Sequence, residues 1–220
     1  QRDIVIKFKT QNCRCAKKIT MQQTPKPYLS SSQIELVFSN PAAYINRYIY
    51  NIKEEEVSPQ QTFGKHITDI FEGRVKGDKK TLEQLKALKR PERTNVALRT
   101  VFKRIKEEVA VIGYLDGENG QGESLTQIEL KTGVWKWDQK RANKSEQLKL
   151  YAAIVWSNTG YIPPQELIWI PTKNEDGVIT IAGSPVAFKV KHGTKTMLEA
   201  IRRVWKAYDV IVRLYEKFRE

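Results

Sequence analysis

Cysteine is scarce in this chain of 220 residues: there are two, Cys13 and Cys15, one residue apart. That spacing is poor for a mutual disulfide and matches no CxxC metal or redox pattern. A pair of free thiols in a reducing, cytoplasmic setting is expected, which excludes a disulfide-stapled secreted scaffold. Long apolar runs are missing too. None approaches the roughly 20 residues that span a bilayer, so a membrane protein is excluded. Behind Gln1-Arg2-Asp3 stands only a short apolar run, unlike a signal peptide, and a chain opening on Gln rather than Met is expected to be trimmed or a fragment. No Walker-type GxxxxGK[ST] occurs, so any helicase activity is expected in another chain or a missing part. Internal repeats and low-complexity linkers are absent. Acidic residues are in deficit, 25 against 38 Lys and Arg, for a net charge of +13. Such an excess suits a polyanionic partner, nucleic acid or an anionic membrane surface. Hydrophobic residues at 40% and charged residues at 29% are ordinary for a folded globular chain and exclude wholesale disorder.

The chain then divides by pattern. Ile4, Ile6 and Phe8 alternate with polar residues as in a half-exposed strand, and a basic tract, Arg14 to Lys18, follows. LSSSQIELVF carries Ser at a cap position with Gln33 or Glu35 behind it, a helix start. PAAYINRYIYN opens a second helix with Pro in its first turn and an aromatic face from Tyr44 and Tyr48. FGKHITDIFEG predicts a helix from about Gly64, with His66, Ile70 and Gly73 on one side; Glu72 reads as solvent-facing, the alternative being that it assists a metal through water. TLEQLKALKR and ERTNVALRTVFKRIKEE, divided by Pro91, read as two more helices. In the second, Leu98, Val101, Phe102 and Ile105 form the buried stripe, and Arg93, Arg99, Lys103 and Lys106 the basic face.

From Glu108 the pattern becomes extended. Strands over 109–116 and 124–131 are joined by the glycine-rich GENGQGE as a hairpin-like pair. A helix over 143–157 follows, then three short strands, ELIWIPT, GVITIAG and PVAFKVKH. Thr194 to Arg219 forms a long amphipathic helix. The expected architecture is α/β, a mixed central sheet flanked by helices with a helical N-terminal region. A single domain over 1–220 is expected, with 28–107 as a helical subdomain, 108–192 as an α/β core and 194–220 as the C-terminal helix.

One constellation carries chemistry. Asp116 ends one expected strand and Glu129 lies near the end of its neighbour. Lys131, two residues on, projects to the same face as Glu129. Phosphodiester hydrolysis needs an activated water and neutralisation of charge on the phosphorus oxygens, which one or two Mg²⁺ ions supply. Mg²⁺ prefers oxygen ligands, hence converging carboxylates. A lysine beside them can orient the attacking water or stabilise developing negative charge. Gln147 and Tyr151, four apart, share one face of the next helix.

Alone, D…ExK is a weak signal. In company with GYLDG at Asp116, IELKTG at Glu129 and Lys131, QLKLYA at Gln147 and Tyr151, and GKHITDIFEG at His66, it resembles the RecB-like branch of the PD-(D/E)xK nuclease superfamily. The resemblance runs over roughly residues 28–170. It implies a restriction-endonuclease-like core and a Mg²⁺- or Mn²⁺-dependent nuclease acting on DNA. It also implies His66, Asp116, Glu129 and the Leu130 carbonyl as metal ligands, Lys131 as the catalytic lysine, and Gln147 and Tyr151 as DNA contacts. Glu129 stands where Asp is common in this branch. Nucleases of the branch with an iron–sulfur cluster hold it with one early and three late cysteines; there are no late cysteines here, so no cluster is expected.

Further contacts follow from type and placement. Trp135 and Trp137 stand among Lys136, Lys140, Arg141 and Lys144, where aromatics can stack on unpaired bases and cations meet phosphates. The bland alternative is that one tryptophan caps the core. His192 has no such company. The expected activity is deoxyribonuclease, exonuclease before endonuclease, in DNA repair, recombination or the processing of phage or mobile-element DNA. A protein partner such as a helicase or recombination protein is compatible with it. The alternatives are a non-catalytic DNA-binding or interaction module that kept the fold, and an RNA-processing enzyme or binder of anionic partners with a coincidental motif.

Overall fold

The computed structural model of the chain describes residues 24–52 and 57–219. The strand expected at Ile4 to Phe8, the basic tract at 14–18 and both cysteines lie outside them. A short strand β1 (Leu29–Ser30) leads into α1 (Ser31–Ser39) and α2 (Pro41–Tyr44), which runs on into a π-helical turn, Ile45–Ile49. Next come α3 (Pro59–Phe71) and α4 (Lys79–Leu85), then the strands β2 (Arg93–Arg104), β3 (Glu107–Asn119) and β4 (Thr126–Gly133). Two helices, α5 (Gln139–Asn143) and α6 (Glu146–Thr159), precede β5 (Gln165–Glu175), β6 (Val178–Ile181) and β7 (Val186–Val190), and α7 (Thr194–Phe218) ends the fold. Among the described residues no helix is long and apolar enough to cross a membrane.

Local chemistry sets the helix starts. Ser30 caps α1 through the Gln33 amide, Asn40 caps α2 through Ala43, and Asp138 caps α5 through Arg141. Such side-chain acceptors satisfy amides that have no partner inside the helix. Helix α3 begins at Pro59 rather than near Gly64. Ser58 and Gln61 form a reciprocal capping box there, with Pro in the first turn. Gly64 therefore lies inside the helix, where a Cβ would come within 2.7 Å of Thr132 Oγ1; its small size lets α3 close on β4.

The seven strands form one mixed sheet. β3 pairs antiparallel with β2 over most of its length, and on its other edge parallel with β1 and then antiparallel with β4. β4 runs parallel to β5 from Gln127↔Gln165 to Gly133↔Pro171, and β5 pairs antiparallel with β6 and β7. A parallel neighbour requires a crossover, supplied here by α5 and α6.

Each face of the sheet is covered. On one, Leu98, Phe102, Val111 and Leu115 pack with Ile34 and Val37 of α1, the length of α6, and Ile201, Val204, Trp205 and Tyr208 of α7. On the other, Ile67, Ile70 and Phe71 of α3 and Leu85 of α4 pack on Ile128, Leu130, Ile168 and Ile170. Alternation along β4 thus sends Ile128 and Leu130 toward α3, and Gln127, Glu129 and Lys131 to the opposite face, under α6. Gln165 Nε2 donates to Gln127 Oε1 at 2.7 Å and to the Leu148 carbonyl at 2.8 Å, pinning the start of α6 above β4 and β5.

The helix expected over 92–107 is instead β2, its turn and the start of β3. Residues 28–107 are consequently not a helical subdomain, since β2 belongs to the central sheet. Leu98 and Phe102 are buried, but Val101 is 47% and Ile105 81% exposed. Burial follows a period of two, with Val96, Leu98, Thr100 and Phe102 inward. Val96, Thr100 and Val101 favour an extended chain. At the end of the strand, Arg104 makes a two-pronged bond to Asp209 of α7, 3.0 and 2.7 Å, and its guanidinium lies 4.6 Å from the centre of the Trp205 ring, tying the hairpin end to the last helix. Phe102→Ala should therefore cost about 3–5 kcal/mol in urea unfolding, whereas Val101→Thr should stay within about 0.5 kcal/mol. Equal losses would restore the helical stripe.

Candidate active site

The β3–β4 ladder is short: Gly117↔Ile128, Glu118↔Gln127 and Asn119↔Thr126. Beyond Gly117 the two strands splay, and β1 takes the edge of β3 at Val111 and Ile112. Asp116 and Glu129 stand at the mouth of this fork. Both are interior to their strands rather than at strand ends. Once the strands part, the Leu130 amide has no partner on β3, and Asp116 Oδ2 accepts its proton at 2.7 Å. A side chain thus replaces a ladder bond, as a buried amide requires. The Leu130 carbonyl lies on the same side of the chain, because a strand residue directs its N–H and C=O to one neighbour.

Glu129 is 3% exposed. Its Oε1 accepts from Lys131 Nζ at 2.7 Å, and its Oε2 is buried without a hydrogen-bond partner. Lys131 Nζ also donates to Gln147 Oε1 at 2.6 Å, and Gln147 Nε2 donates to the Tyr151 hydroxyl at 3.0 Å. One chain of bonds therefore links Glu129, Lys131, Gln147 and Tyr151 across β4 and α6. The i,i+4 spacing of Gln147 and Tyr151 puts both on the helix face above the strand. Gly113 makes room for this: a Cβ there would stand 2.4 Å from the Tyr151 ring, so the ring packs directly on the backbone of β3.

Electrostatics follow from burial. Loss of solvent pushes the Glu129 carboxyl up to about 7, with Asp116 adding to it and Lys131 opposing. Asp116 is raised by burial, against the Leu130 amide and the charges of Lys131 and Arg74. Burial alone would lower Lys131, but the Glu129 carboxylate overcomes it and holds the ammonium above its ordinary value. Burial, then Glu129, raise the Tyr151 phenol.

The end of helix α3 brings an acid, rather than His66, to the buried side. His66 is exposed. Glu72, which caps the C-terminus of α3, is 4% exposed and feels the charge of Asp116. Six residues at 3.6 per turn place the two on well-separated faces of the helix; the buried face is that of Ile67, Ile70 and Phe71. Glu72 therefore points inward rather than to solvent, and Gly73 is exposed. Arg74 pairs with Glu72 and with Asp69, the latter at 2.8 Å. Burial raises the Glu72 carboxyl, and Arg74 partly offsets it. The signal for it in the sequence is the acid directly following the apolar Ile70-Phe71 pair.

The two tryptophans differ. Trp135 is 78% exposed in the loop after β4. Trp137 is partly buried against Ala142, Leu148, Leu167 and Val190, with the Arg141 guanidinium 4.3 Å from its ring. Lys136, Lys140 and Arg141 are exposed. Trp169 Nε1 donates to the Gly133 carbonyl at 3.1 Å and fixes the end of β4 from which this loop departs.

Among the described residues, no three of His, Cys, Asp and Glu converge as a ready metal cage. What stands in the fork is two carboxylates, one with an unpartnered buried oxygen, a carbonyl, and Glu72 within electrostatic range. Mg²⁺ commonly takes one or two carboxylates, keeps several waters and finds its remaining ligands on substrate phosphates. The donor set fits that habit.

No family model and no curated protein matches the sequence. Among solved structures, one from Eubacterium rectale described as a "Putative exonuclease" matches at a TM-score of 0.56 and 16% identity, over 88% of this chain and 83% of its own. A second, SSO0001, matches at a TM-score of 0.46 and 11% identity, over 84% of this chain and 77% of its own. The first shares the fold, a mixed sheet flanked by helices.

Proposed function

We propose that the protein is a divalent-metal-dependent deoxyribonuclease of the RecB-like PD-(D/E)xK type, acting from DNA ends. The observation that carries this reading is the fork, where Asp116, Glu129 and Lys131 meet beneath Gln147 and Tyr151. Asp116, Glu129 and the Leu130 carbonyl would hold Mg²⁺ or Mn²⁺, with Glu72 rather than His66 as the contribution from α3. The ion would neutralise charge on the scissile phosphate and lower the pKa of the attacking water.

The chain's own groups do the rest. Lys131, held between Glu129 and Gln147, presents a fixed ammonium to that water or to the developing negative charge. Gln147 keeps the lysine aimed and is itself fixed by Tyr151. Trp135, with Lys136, Lys140 and Arg141 nearby, offers a base-stacking surface and phosphate contacts beside the fork; Trp137 serves chiefly as packing. A helicase or recombination protein remains a fitting partner.

The direct test is incubation of end-labelled linear DNA with Mn²⁺, comparing wild type with Asp116→Ala. Wild-type cleavage lost in the variant supports the reading, and a closed circular substrate left intact supports end-dependence. No cleavage of any DNA form would end it.

A pH effect separates metal binding from catalysis. Glu129 is raised from its ordinary 4.5 to about 7, so between those values the folded chain holds a proton that the unfolded chain releases. Its contribution to stability is therefore lost as pH rises through that window. A bound cation would reverse the penalty by pairing the carboxylate. Mn²⁺ should raise the melting midpoint more at about pH 8 than at about pH 6, where protons compete for the same oxygens. An equal rise at both would count against Glu129 as a ligand.

A further inference from the structure

We propose that the outer edge of β2, from Ala97 to Lys103, takes an extended acidic segment of a partner protein as an added strand of the sheet. The assignment is independent of the nuclease reading, because this edge lies on the side of β3 away from the fork.

The backbone supplies the first argument. β2 pairs with β3 on one side and, among the described residues, with no strand on the other. Asn158 Nδ2 of α6 donates to the Arg99 carbonyl at 2.8 Å, so that carbonyl points away from β3. In an antiparallel ladder each residue turns its N–H and C=O to one side, and successive residues alternate. Ala97, Val101 and Lys103 therefore present their peptide groups at the same open edge. A row of such groups is a template for one more strand.

The side chains supply the second. Ala97, Arg99, Val101 and Lys103 share one face of the hairpin. All four are exposed, and none belongs to the core under either helical layer. Lys103 pairs across the hairpin with Glu108, whereas Arg99 lies opposite Ile112 and meets no acid among the described residues. A strand laid on this edge sets its own side chains opposite these at every second position. Acids opposite Arg99 and Lys103, with an apolar residue opposite Val101, complete the match.

Two other occupants fit less well. A second copy pairing antiparallel about Arg99, Val101 or Lys103 sets cation against cation in each case, which is unfavourable for directly opposed residues. About Ala97 it must run through Asn95, whose φ of 50° leaves the extended region. Nucleic acid would meet the two cations but leave the peptide groups unanswered, since a phosphate offers the carbonyls no donor. No aromatic side chain is exposed along this run of β2 for bases to stack on.

The probe is a labelled, capped peptide, Thr-Glu-Thr-Val-Thr-Glu-Thr, set against the same peptide with Lys for both Glu. Fluorescence anisotropy compares wild type, Val101→Pro and the double variant Arg99→Glu, Lys103→Glu after thermal melts confirm folding. Proline where the N–H faces outward leaves the β2–β3 ladder intact and removes one donor from the edge. The acidic peptide should bind wild type at least about tenfold tighter than the basic one, and Val101→Pro should lose about tenfold. The charge-reversed variant should prefer the basic peptide. Hydrogen exchange of wild type with the acidic peptide should slow the Val101 and Lys103 amides and leave those of Leu98 and Phe102, which face β3, unchanged. No binding of the acidic peptide, equal affinity for the two, or an unslowed Val101 amide would overturn the assignment. A wild-type dimer that Val101→Pro abolishes would give the edge to a second copy instead, and an oligonucleotide that slows the Val101 amide would give it to nucleic acid.

Discussion

Replacing Lys131 with Met or Ala should lower Mn²⁺-dependent DNA cleavage by about 10²–10³-fold, the size of effect seen when one fixed donor is taken from a developing negative charge. The ammonium donates to Glu129 Oε1 and Gln147 Oε1 at once, so its position is set from two elements. Met keeps most of the bulk, so loss in both variants assigns the effect to charge rather than packing. A second consequence is separable from the first. Glu129 would lose its ammonium partner in a site 3% exposed. Its carboxyl would rise further above about 7. The wild-type carboxyl ionises in the folded chain only near 7, so the added cost of the variant should appear as pH rises through that value and vanish in acid. Arg is a poor substitute, because a planar fork does not reproduce the point charge of an ammonium between two acceptors. Lys131→Met cleaving at the wild-type rate would remove the lysine from the chemistry.

Much of the fork could be read without coordinates, for physical reasons. The two-residue step from Glu129 to Lys131 fixes a shared face on any strand, and the four-residue step from Gln147 to Tyr151 does so on any helix. Both relations are local. The fork itself is not. It exists because β3 stops pairing with β4 beyond Gly117 and pairs with β1 at Ile112 instead, a register set by contacts distant in sequence. Asp116 consequently reads as a strand end in the sequence and works as an interior residue at a split.

Arg93 to Arg104 carries a helix-like pattern for a related reason. Leu98 and Phe102, four apart, satisfy a helical stripe as well as a strand face, and the hairpin turn at Ile105-Lys106 carries none of the Asn-Gly or Asp-Gly signals of a tight turn. Ile105 takes a φ of 30° there without glycine. Besides the local Arg104–Glu107 pair, closure of the hairpin rests on a tertiary anchor, the two bonds of Arg104 to Asp209 of α7. An edge set by partners about a hundred residues away in sequence leaves no local mark.

The placement of His66 at the surface and Glu72 inside is equally non-local, and there the expected effects differ most between two residues of one helix and its cap. Glu72→Gln preserves shape and removes one negative charge from the environment of Asp116. If Glu72 supports the ion through water, cleavage or apparent Mn²⁺ affinity should fall by about 10–100-fold. His66→Ala changes an exposed side chain and should stay within about twofold. Arg74 makes the comparison stricter. Its guanidinium, paired with Glu72 and Asp69, also acts on Asp116, so the acid cluster carries an internal counter-ion. Glu72→Gln loosens that guanidinium as well, which strengthens the positive field on the remaining acids and weakens cation binding further. A Mn²⁺ titration of cleavage therefore distinguishes the residues by midpoint: shifted upward in Glu72→Gln, unchanged in His66→Ala. The opposite pattern would return the histidine to the metal site and require α3 to turn before the ion could bind.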